Sequence, residues 1–299
     1  MAMLPFDDRD GKIWQNGQLV PWRDAKVHVL THGLHYASCV FEGERVYGGN
    51  IFKMTEHHQR LQTSAEILGF KLPYSVAELD EAAREVVQAN NITDGYVRPV
   101  AWRGSEMMGV SAQNNSINVA IAAWEWPAYF SPEARLKGIR MTVSPWRRPA
   151  PDTAPTKSKA AGLYMICTLS KHQAEGKGYN DALMLDYRGR IAEATGANVF
   201  LVQDGVIHTP TPDCFLDGIT RRTVIQLARE KGYEVVERPI MPEELAKTQE
   251  VFLTGTAVEV TPVAEIDDYR FTPGEITKQL LTAYDELVRR PATAAASAA

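Results

Sequence analysis

Pro155-Thr156-Lys157-Ser158-Lys159-Ala160-Ala161-Gly162-Leu163-Tyr164 sets two lysines among small residues, and a helical pattern, Met165 to Lys177, follows at once. A lysine at the foot of such a helix can be walled in and dried. Burial disfavours the ammonium, its pKa falls, and a neutral amine becomes available. A neutral amine can form a Schiff base with a carbonyl compound. Taken alone, the stretch reads more simply as a solvated lysine pair at a helix entrance. The weight shifts with what surrounds it in the chain.

The 299 residues are 44% hydrophobic and 23% charged, enough for a full core and for one large or two modest domains. Net charge is −5 and the pI near 5.9, with no basic stretch, so a nucleic-acid partner is not expected. No apolar run approaches a membrane span, and the N-terminal stretch lacks a signal-peptide pattern. Cys39, Cys167 and Cys214 are far apart and include no CxxC pair, which points to reduced thiols and a cytoplasmic location. The Ala/Ser/Thr-rich tail, Pro291 to Ala299, reads as disordered.

Toward the N-terminus the pattern is that of a small α/β (α+β) domain over 1–126. Lys12 to Trp22 is a hairpin turning at Asn16-Gly17, and Ala25 to Leu30 is strand-like. His32 and His35 invite a metal reading, but no third ligand stands nearby and no metal is expected. Val40 to Tyr47 reads as one strand, and Thr55 as the cap of a helix with Leu61, Ala65 and Leu68 on one face. Arg60 on that helix is either a surface arginine or a phosphate ligand. A helix, Val76 to Asn90, precedes the strand Tyr96 to Trp102, on which Tyr96 and Arg98 share a face. An arginine there is either exposed or an anion receptor. Ser105 to Gln113 is a loop, Ser116 to Trp126 a strand, and 127–136 the interdomain connection.

Downstream, 137–290 reads as a larger domain. The strand Ile139 to Ser144 leads into a proline-rich loop, Pro145 to Pro155, and the lysine stretch. Later strands include Asp181 to Asp186, Ile191 to Thr195, Val199 to Gln203 and, around Gly255-Thr256-Ala257, Glu250 to Thr254 and Val258 to Pro262. Gly218-Ile219-Thr220 opens a helix, and a last helix spans about Pro273 to Arg289. Three features fit one cofactor. Lys159 offers an amine and Glu193 a partner for a pyridinium nitrogen. The Gly218 helix start offers free N–H groups and a positive dipole end for a phosphate, with more N–H groups and a hydroxyl at Thr256. Together they suggest pyridoxal 5'-phosphate.

At this point the chain resembles a known family. Glu193-Ala194-Thr195-Gly196-Ala197-Asn198-Val199-Phe200, Ile207-His208-Thr209 and Leu216-Asp217-Gly218-Ile219-Thr220-Arg221 look like the signature of class-IV pyridoxal-phosphate aminotransferases. The bacterial branched-chain-amino-acid group is the most similar, on Val40-Phe41-Glu42-Gly43, Tyr96-Val97-Arg98-Pro99, Met108-Gly109-Val110 and Lys159 to Tyr164. The resemblance runs from about Trp14 to Leu287. It implies fold type IV, two α/β domains with the larger C-terminal one a pseudo-barrel and the cofactor between them. It selects Lys159 over Lys157, because the family's Schiff-base lysine lies five residues before a tyrosine, here Tyr164.

Carried onto this chain, the resemblance makes Lys159 the catalytic amine and Glu193 the ring-nitrogen partner. Tyr164 would bond the ring's phenolic oxygen, and Leu216 would pack on the ring. Arg60, the N–H groups of Ile219 and Thr220 after Gly218, and Thr256 would hold the phosphate. Tyr96 with Thr256-Ala257 would meet the substrate carboxylate, Phe41, Trp126 and Tyr129 the branched side chain, and Arg98 the distal carboxylate of glutamate. Tyr36 and Val110, the latter beside Met108, would come from a neighbouring subunit. A homodimer is then the minimum unit, and a trimer of dimers stays open. The implied reaction moves the amino group of leucine, isoleucine or valine to 2-oxoglutarate. Substrates would be amino acids and 2-oxo acids, with no membrane or nucleic-acid partner. Ala197 stands where several relatives carry a glutamate, Ser38 and Cys39 occupy positions that vary in the family, and Arg103 and Glu106 put charges into the loop before Met108; these bear on side-chain preference. Rival readings are a D-amino-acid aminotransferase, an (R)-amine aminotransferase, an aminodeoxychorismate lyase and a non-catalytic pyridoxal-phosphate-binding protein.

Overall fold

The computed structural model describes residues 4–126, 129 and 132–290. The readings of a disordered tail and of a connection through Pro127 and Phe130 lie outside the described residues. Two compact units result, Met1–Pro127 with Ser158–Gly162, and Ala128–Lys157 with Leu163–Ala299. The lysine-bearing Ser158–Gly162 thus groups with the first unit, although its sequence neighbours on both sides belong to the second.

The first unit runs β1 (Lys12–Gln15), β2 (Gln18–Pro21), α1 (His32–Tyr36), β3 (Cys39–Phe41), β4 (Glu44–Tyr47), β5 (Asn50–Ile51), α2 (Met54–Ile67), α3 (Val76–Ala89), β6 (Gly95–Arg103) and β7 (Ile117–Glu125). Its sheet has the order β2-β1-β7-β6-β4-β5, with β3 also on β6. Asn16 and Gly17 take φ of 50° and 95°, the left-handed pair that a two-residue hairpin turn needs. A capping box between Ser75 and Glu78 starts α3. Along β6 and β7, Val97, Ala101, Val119, Ile121 and Ala123 join Leu61, Ala65, Leu79 and Val86 of the helices in one core. Tyr96, Arg98, Val100 and Trp102 alternate with that set and belong to the other face.

Four expectations are corrected here. Ala25 to Leu30 is not a strand: local turns take its backbone bonds, Lys26 N–H to Asp24 and Thr31 N–H to His28. The strand expected over Val40 to Tyr47 breaks at Glu42-Gly43. β3 pairs with residues 100–102 of β6 and β4 with residues 95–97. Between them lies Pro99, which has no N–H to give; its carbonyl accepts from Glu42 N–H at 2.8 Å. Thr55 does not cap α2. Lys53 in the left-handed region holds that position, and the Thr55 hydroxyl donates to Asp80 at 2.6 Å.

The fourth correction lies in the second unit, which runs α4 (Pro132–Lys137), β8 (Ile139–Arg148), α5 (Met165–Gly176), β9 (Asp181–Asp186), β10 (Ile191–Ala194), β11 (Asn198–Gln203), β12 (Val206–Thr209), α6 (Ile219–Glu230), β13 (Val235–Glu237), β14 (Glu250–Gly255), β15 (Glu259–Ile266), β16 (Tyr269–Arg270) and α7 (Glu275–Val288). β8 continues through Pro145 to Arg148 where a loop is expected. It does so by shifting register against β9 between Val143 and Arg147, the kind of irregularity that tolerates a proline. Residues 132–137, which overlap the expected connection over 132–136, are helical as α4. The pairing order β10-β9-β8-β15-β14-β11 returns to β10, so six strands close on themselves as the expected pseudo-barrel. Met141, Leu183, Val199, Leu201, Val251, Leu253 and Val263 cluster in its core, and the alternate set stacks Phe200 on Phe252 at 4.9 Å.

Candidate active site

In the first unit, Lys159 is sewn into place by its backbone. Its N–H donates to the Ser64 hydroxyl at 3.0 Å, and its carbonyl accepts from Phe41 N–H at 3.2 Å. Ser158 Oγ donates to the Ser64 carbonyl at 2.9 Å, and Ala160 bridges to Val40 of β3. Lys157 is exposed. Lys159 Nζ lies 5.0 Å from the Phe41 ring centre, and the Arg98 guanidinium 4.8 Å from the same ring and 5.3 Å from that of Tyr96. Tyr96 in turn meets Trp126 edge-on at 4.6 Å. Burial and the charge of Arg60 bring the Lys159 pKa from 10.5 to about 8; Arg98 adds to the fall, and Glu42 and Tyr96 oppose it.

The strand break at Glu42 has a consequence for charge. Glu42 turns inward, 0% exposed, and takes both arms of Arg60 at 2.6 and 2.8 Å. His57 approaches the same carboxylate at 2.7 Å. Burial by itself would raise the Glu42 pKa, but Arg60 and His57 outweigh it and hold the carboxyl well below the usual range. This fork-on-fork pairing fixes the guanidinium plane. Beside it, buried His58 lies between Glu44 at 3.2 Å and Asp80 at 2.6 Å. Burial would lower its pKa; the two carboxylates raise it.

In the second unit, strand register gathers the other expected residues. Glu193 of β10 faces Asn198 of β11, which faces Thr254 of β14, and Gly255 pairs with Glu259 to close the Thr256-Ala257 turn. Asn198 Nδ2 donates to the Leu216 carbonyl at 2.9 Å, tying the loop before α6 to the same strand ends. A Cβ at Gly218 would overlap Asn198 Oδ1, so close approach requires glycine there. α6 starts at Ile219 with no side-chain cap and no acidic residue in its first turn. Buried Glu193 pairs with buried Arg148 at 3.3 Å. Arg148 also reaches Cys167 Sγ at 3.3 Å and the Leu163 carbonyl at 3.4 Å. Desolvation disfavours its charge, and Glu193, Cys167 and Tyr164 nearby restore it.

The structure therefore brings Lys159, Phe41, Tyr96, Arg98, Trp126 and Arg60 together in the first unit. In the second it aligns Glu193, Leu216, Gly218 and the Thr256-Ala257 turn through neighbouring strands. Tyr36, Met108 and Val110 stand exposed, Val110 at 86%. Tyr129 is exposed in the second unit with Lys171 Nζ 5.8 Å from its ring. His32 and His35 point their Nε2 atoms at the Gly109 and Val29 carbonyls, each at 2.9 Å. Burial pushes the Cys39 and Cys167 thiols up to about 11 and Cys214 to about 12, so none is a ready thiolate. Sequence reasoning assigned no role to Glu42, Ser64, Arg148 or Asn198. Glu42 and Asn198 lie inside the motifs quoted for the family; nothing local marks Ser64 or Arg148.

The model of the amino-transferase class IV family matches residues 39–266, and the chain belongs to that family. Its fold is fold type IV, as the resemblance implied. The chain is 43% identical over 292 residues to the branched-chain-amino-acid aminotransferase of Pseudomonas aeruginosa, covering 95% of each. It is similar to the solved branched-chain amino acid aminotransferase of Escherichia coli, with a TM-score of 0.91, 41% identity, and 96% and 98% of the two chains covered. A branched-chain amino acid aminotransferase from T.th., solved in complex with N-(5'-phosphopyridoxyl)-L-glutamate, matches with a TM-score of 0.89, 41% identity, and 95% and 96% coverage.

Proposed function

We propose that this aminotransferase moves the amino group of L-leucine, L-isoleucine or L-valine to 2-oxoglutarate, with pyridoxal 5'-phosphate as cofactor. The observation that carries the reading is Lys159: an amine brought to about 8 and anchored by its own backbone beside an aromatic and guanidinium lining. The names of the relatives supply the substrate class, and the phosphopyridoxyl-glutamate bound to the T.th. protein supports the cofactor and the acceptor.

The residues fit that cofactor. The α6 N-terminus keeps its N–H groups clear of any acid of its own first turn, which suits a phosphate. A Cβ at Gly196 would meet open space, and Glu193 is a buried carboxylate. Bound pyridoxal phosphate supplies an aldehyde that takes the amine and a ring that accepts the electron pair left at Cα. Lys159 would be the base for the Cα proton; with a pKa of about 8, about a tenth of it is neutral and basic at pH 7. Glu193, held by Arg148, would pair with the ring nitrogen and Tyr164 with the ring oxygen. Arg60, Ile219, Thr220 and Thr256 would hold the phosphate, with Leu216 on the ring. Tyr96, Thr256 and Ala257 receive the substrate carboxylate, and Phe41, Trp126 and Tyr129 the aliphatic side chain. Arg98 pairs with the distal carboxylate of glutamate, so one pocket serves both substrates. We place the enzyme in the cytoplasm as a homodimer, or a trimer of dimers, in which Tyr36, Met108 and Val110 serve the neighbouring subunit. No helix among the described residues is long and apolar enough to cross a membrane.

The test is the visible-absorbance change of the purified protein on adding L-leucine, L-isoleucine, L-valine, D-alanine or (R)-1-phenylethylamine. The three L-amino acids should react far faster than the other two. Faster turnover of D-alanine or the (R)-amine would replace this substrate class, and a protein with no absorbance near the visible edge would remove the cofactor.

A further inference from the structure

The loop between β6 and β7 carries exposed Met107, Met108 and Val110, yet its backbone is pinned along its length. Asn115, itself buried, donates to the Gly104 carbonyl at 2.9 Å and the Met107 carbonyl at 3.2 Å, and accepts from Met107 N–H at 3.1 Å. Arg103 holds the Ala112 carbonyl at 3.0 Å, and Glu106 accepts from Ser116 N–H at 3.2 Å. Gly109 sits at φ 148°, a conformation that L side chains rarely adopt.

One residue joins this loop to α1. His32, 2% exposed, donates its backbone N–H to the Gly104 carbonyl at 2.9 Å, and its Nε2 meets the Gly109 carbonyl at 2.9 Å. A carbonyl only accepts, so Nε2 carries the proton. The imidazole face stacks on Tyr36 at 4.6 Å and 24°. Tyr36 and Val110 are thus exposed side chains on backbones joined through one residue, by its N–H at Gly104 and by its ring at Gly109. A loop of this length left free would lose its ordering entropy on every contact with a ligand, whereas a pinned one has lost it already on folding.

We infer that His32 is a positioning residue that joins α1 and the 104–116 loop into one preassembled arm, presenting Tyr36 and Val110 to the side-chain pocket of a second copy of this chain. The inference rests on the homodimer reading above. His32 touches no reacting atom. It sets the affinity for a branched side chain and leaves proton transfer at Lys159 alone.

Mixed holoenzyme dimers, purified by two different tags, test it. In the first, His32→Phe and Lys159→Ala share one chain and the partner is unaltered, so the working pocket receives the faulty arm. KM for L-leucine should rise about tenfold with kcat within about twofold. In the second, His32→Phe lies on the chain that keeps Lys159 and the partner carries Lys159→Ala, and KM should stay that of the unaltered enzyme. His32→Gln, which can still donate to Gly109, should bring KM in the first dimer back to within about twofold. Where His32→Phe does not fold, His32→Leu takes its place in the same pairing. Equal KM in the two dimers, the reverse order, or a Gln variant as impaired as Phe would overturn the role of His32. A native mass spectrum showing active monomers and no mixed species would instead remove the homodimer reading itself.

Discussion

Lys159→Met should stabilise the cofactor-free protein at neutral pH while abolishing transamination. The fold holds this ammonium against its preference for water: burial and Arg60 bring its pKa from 10.5 to about 8. One pKa unit is worth about 1.4 kcal/mol, so the charged amine costs the folded state about 3 kcal/mol at pH 7. The folded-state value lies below the unfolded one, so between pH 8 and 10.5 the unfolded chain binds more protons. The stability of the unaltered protein therefore climbs with pH across that window, and the penalty is fully present below it. Methionine keeps the length and most of the burial but loses the Lys159–Phe41 contact, worth about 0.5–1 kcal/mol. The net expectation is a gain of about 2 kcal/mol at pH 7 that fades to nothing by about pH 10.5. Urea unfolding of both proteins, stripped of cofactor and held at constant ionic strength from about pH 6 to 10.5, reads it directly. Equal stabilities at pH 7, or a gap that ignores pH, would refute the claim that Lys159 is desolvated by the fold.

Glu42→Gln removes the fully buried carboxylate that fixes the partly buried Arg60 guanidinium and should cost about 3 kcal/mol in urea unfolding, with faster loss of cofactor absorbance on dilution. Gly43→Ala places a Cβ onto the Tyr96 hydroxyl. KM for L-leucine should rise about tenfold while the cofactor spectrum is unchanged, and an unchanged KM would show that Tyr96 has room to move. Gly218→Ala drives a Cβ into Asn198 Oδ1 and must displace the start of α6. The dissociation constant of the cofactor, followed by equilibrium dialysis, should rise about tenfold or more with little change in far-UV circular dichroism; unaltered affinity would mean that the phosphate does not depend on this turn.

Much of the scaffold was legible because it depends on neighbours in sequence. The hairpin at Asn16-Gly17 follows from two residues that tolerate positive φ. The helix beginning at Val76 follows from the Ser75–Glu78 capping box and apolar spacing, and the strands from alternation. Two of the misreadings turn on partners distant in sequence. Val40 to Tyr47 alternates well enough for one strand, but Pro99, more than fifty residues on, cannot donate the bond that would keep it paired. Pro145 looks like a loop until the register shift against β9 absorbs it.

The motifs along the chain, by their resemblance, identified the family and the closed barrel that it implies, and residue chemistry offered the candidates for amine, ring partner and phosphate cradle. Only the tertiary structure decided which groups hold them. Ser64 clamps Lys159 from 95 residues away. Glu42 aims Arg60 across 18 residues, and Arg148 meets Glu193 because a bulged strand carries it there. The reason is physical: a side chain's charge state and direction follow from the atoms packed around it, and those come from segments that nothing in the linear order places side by side.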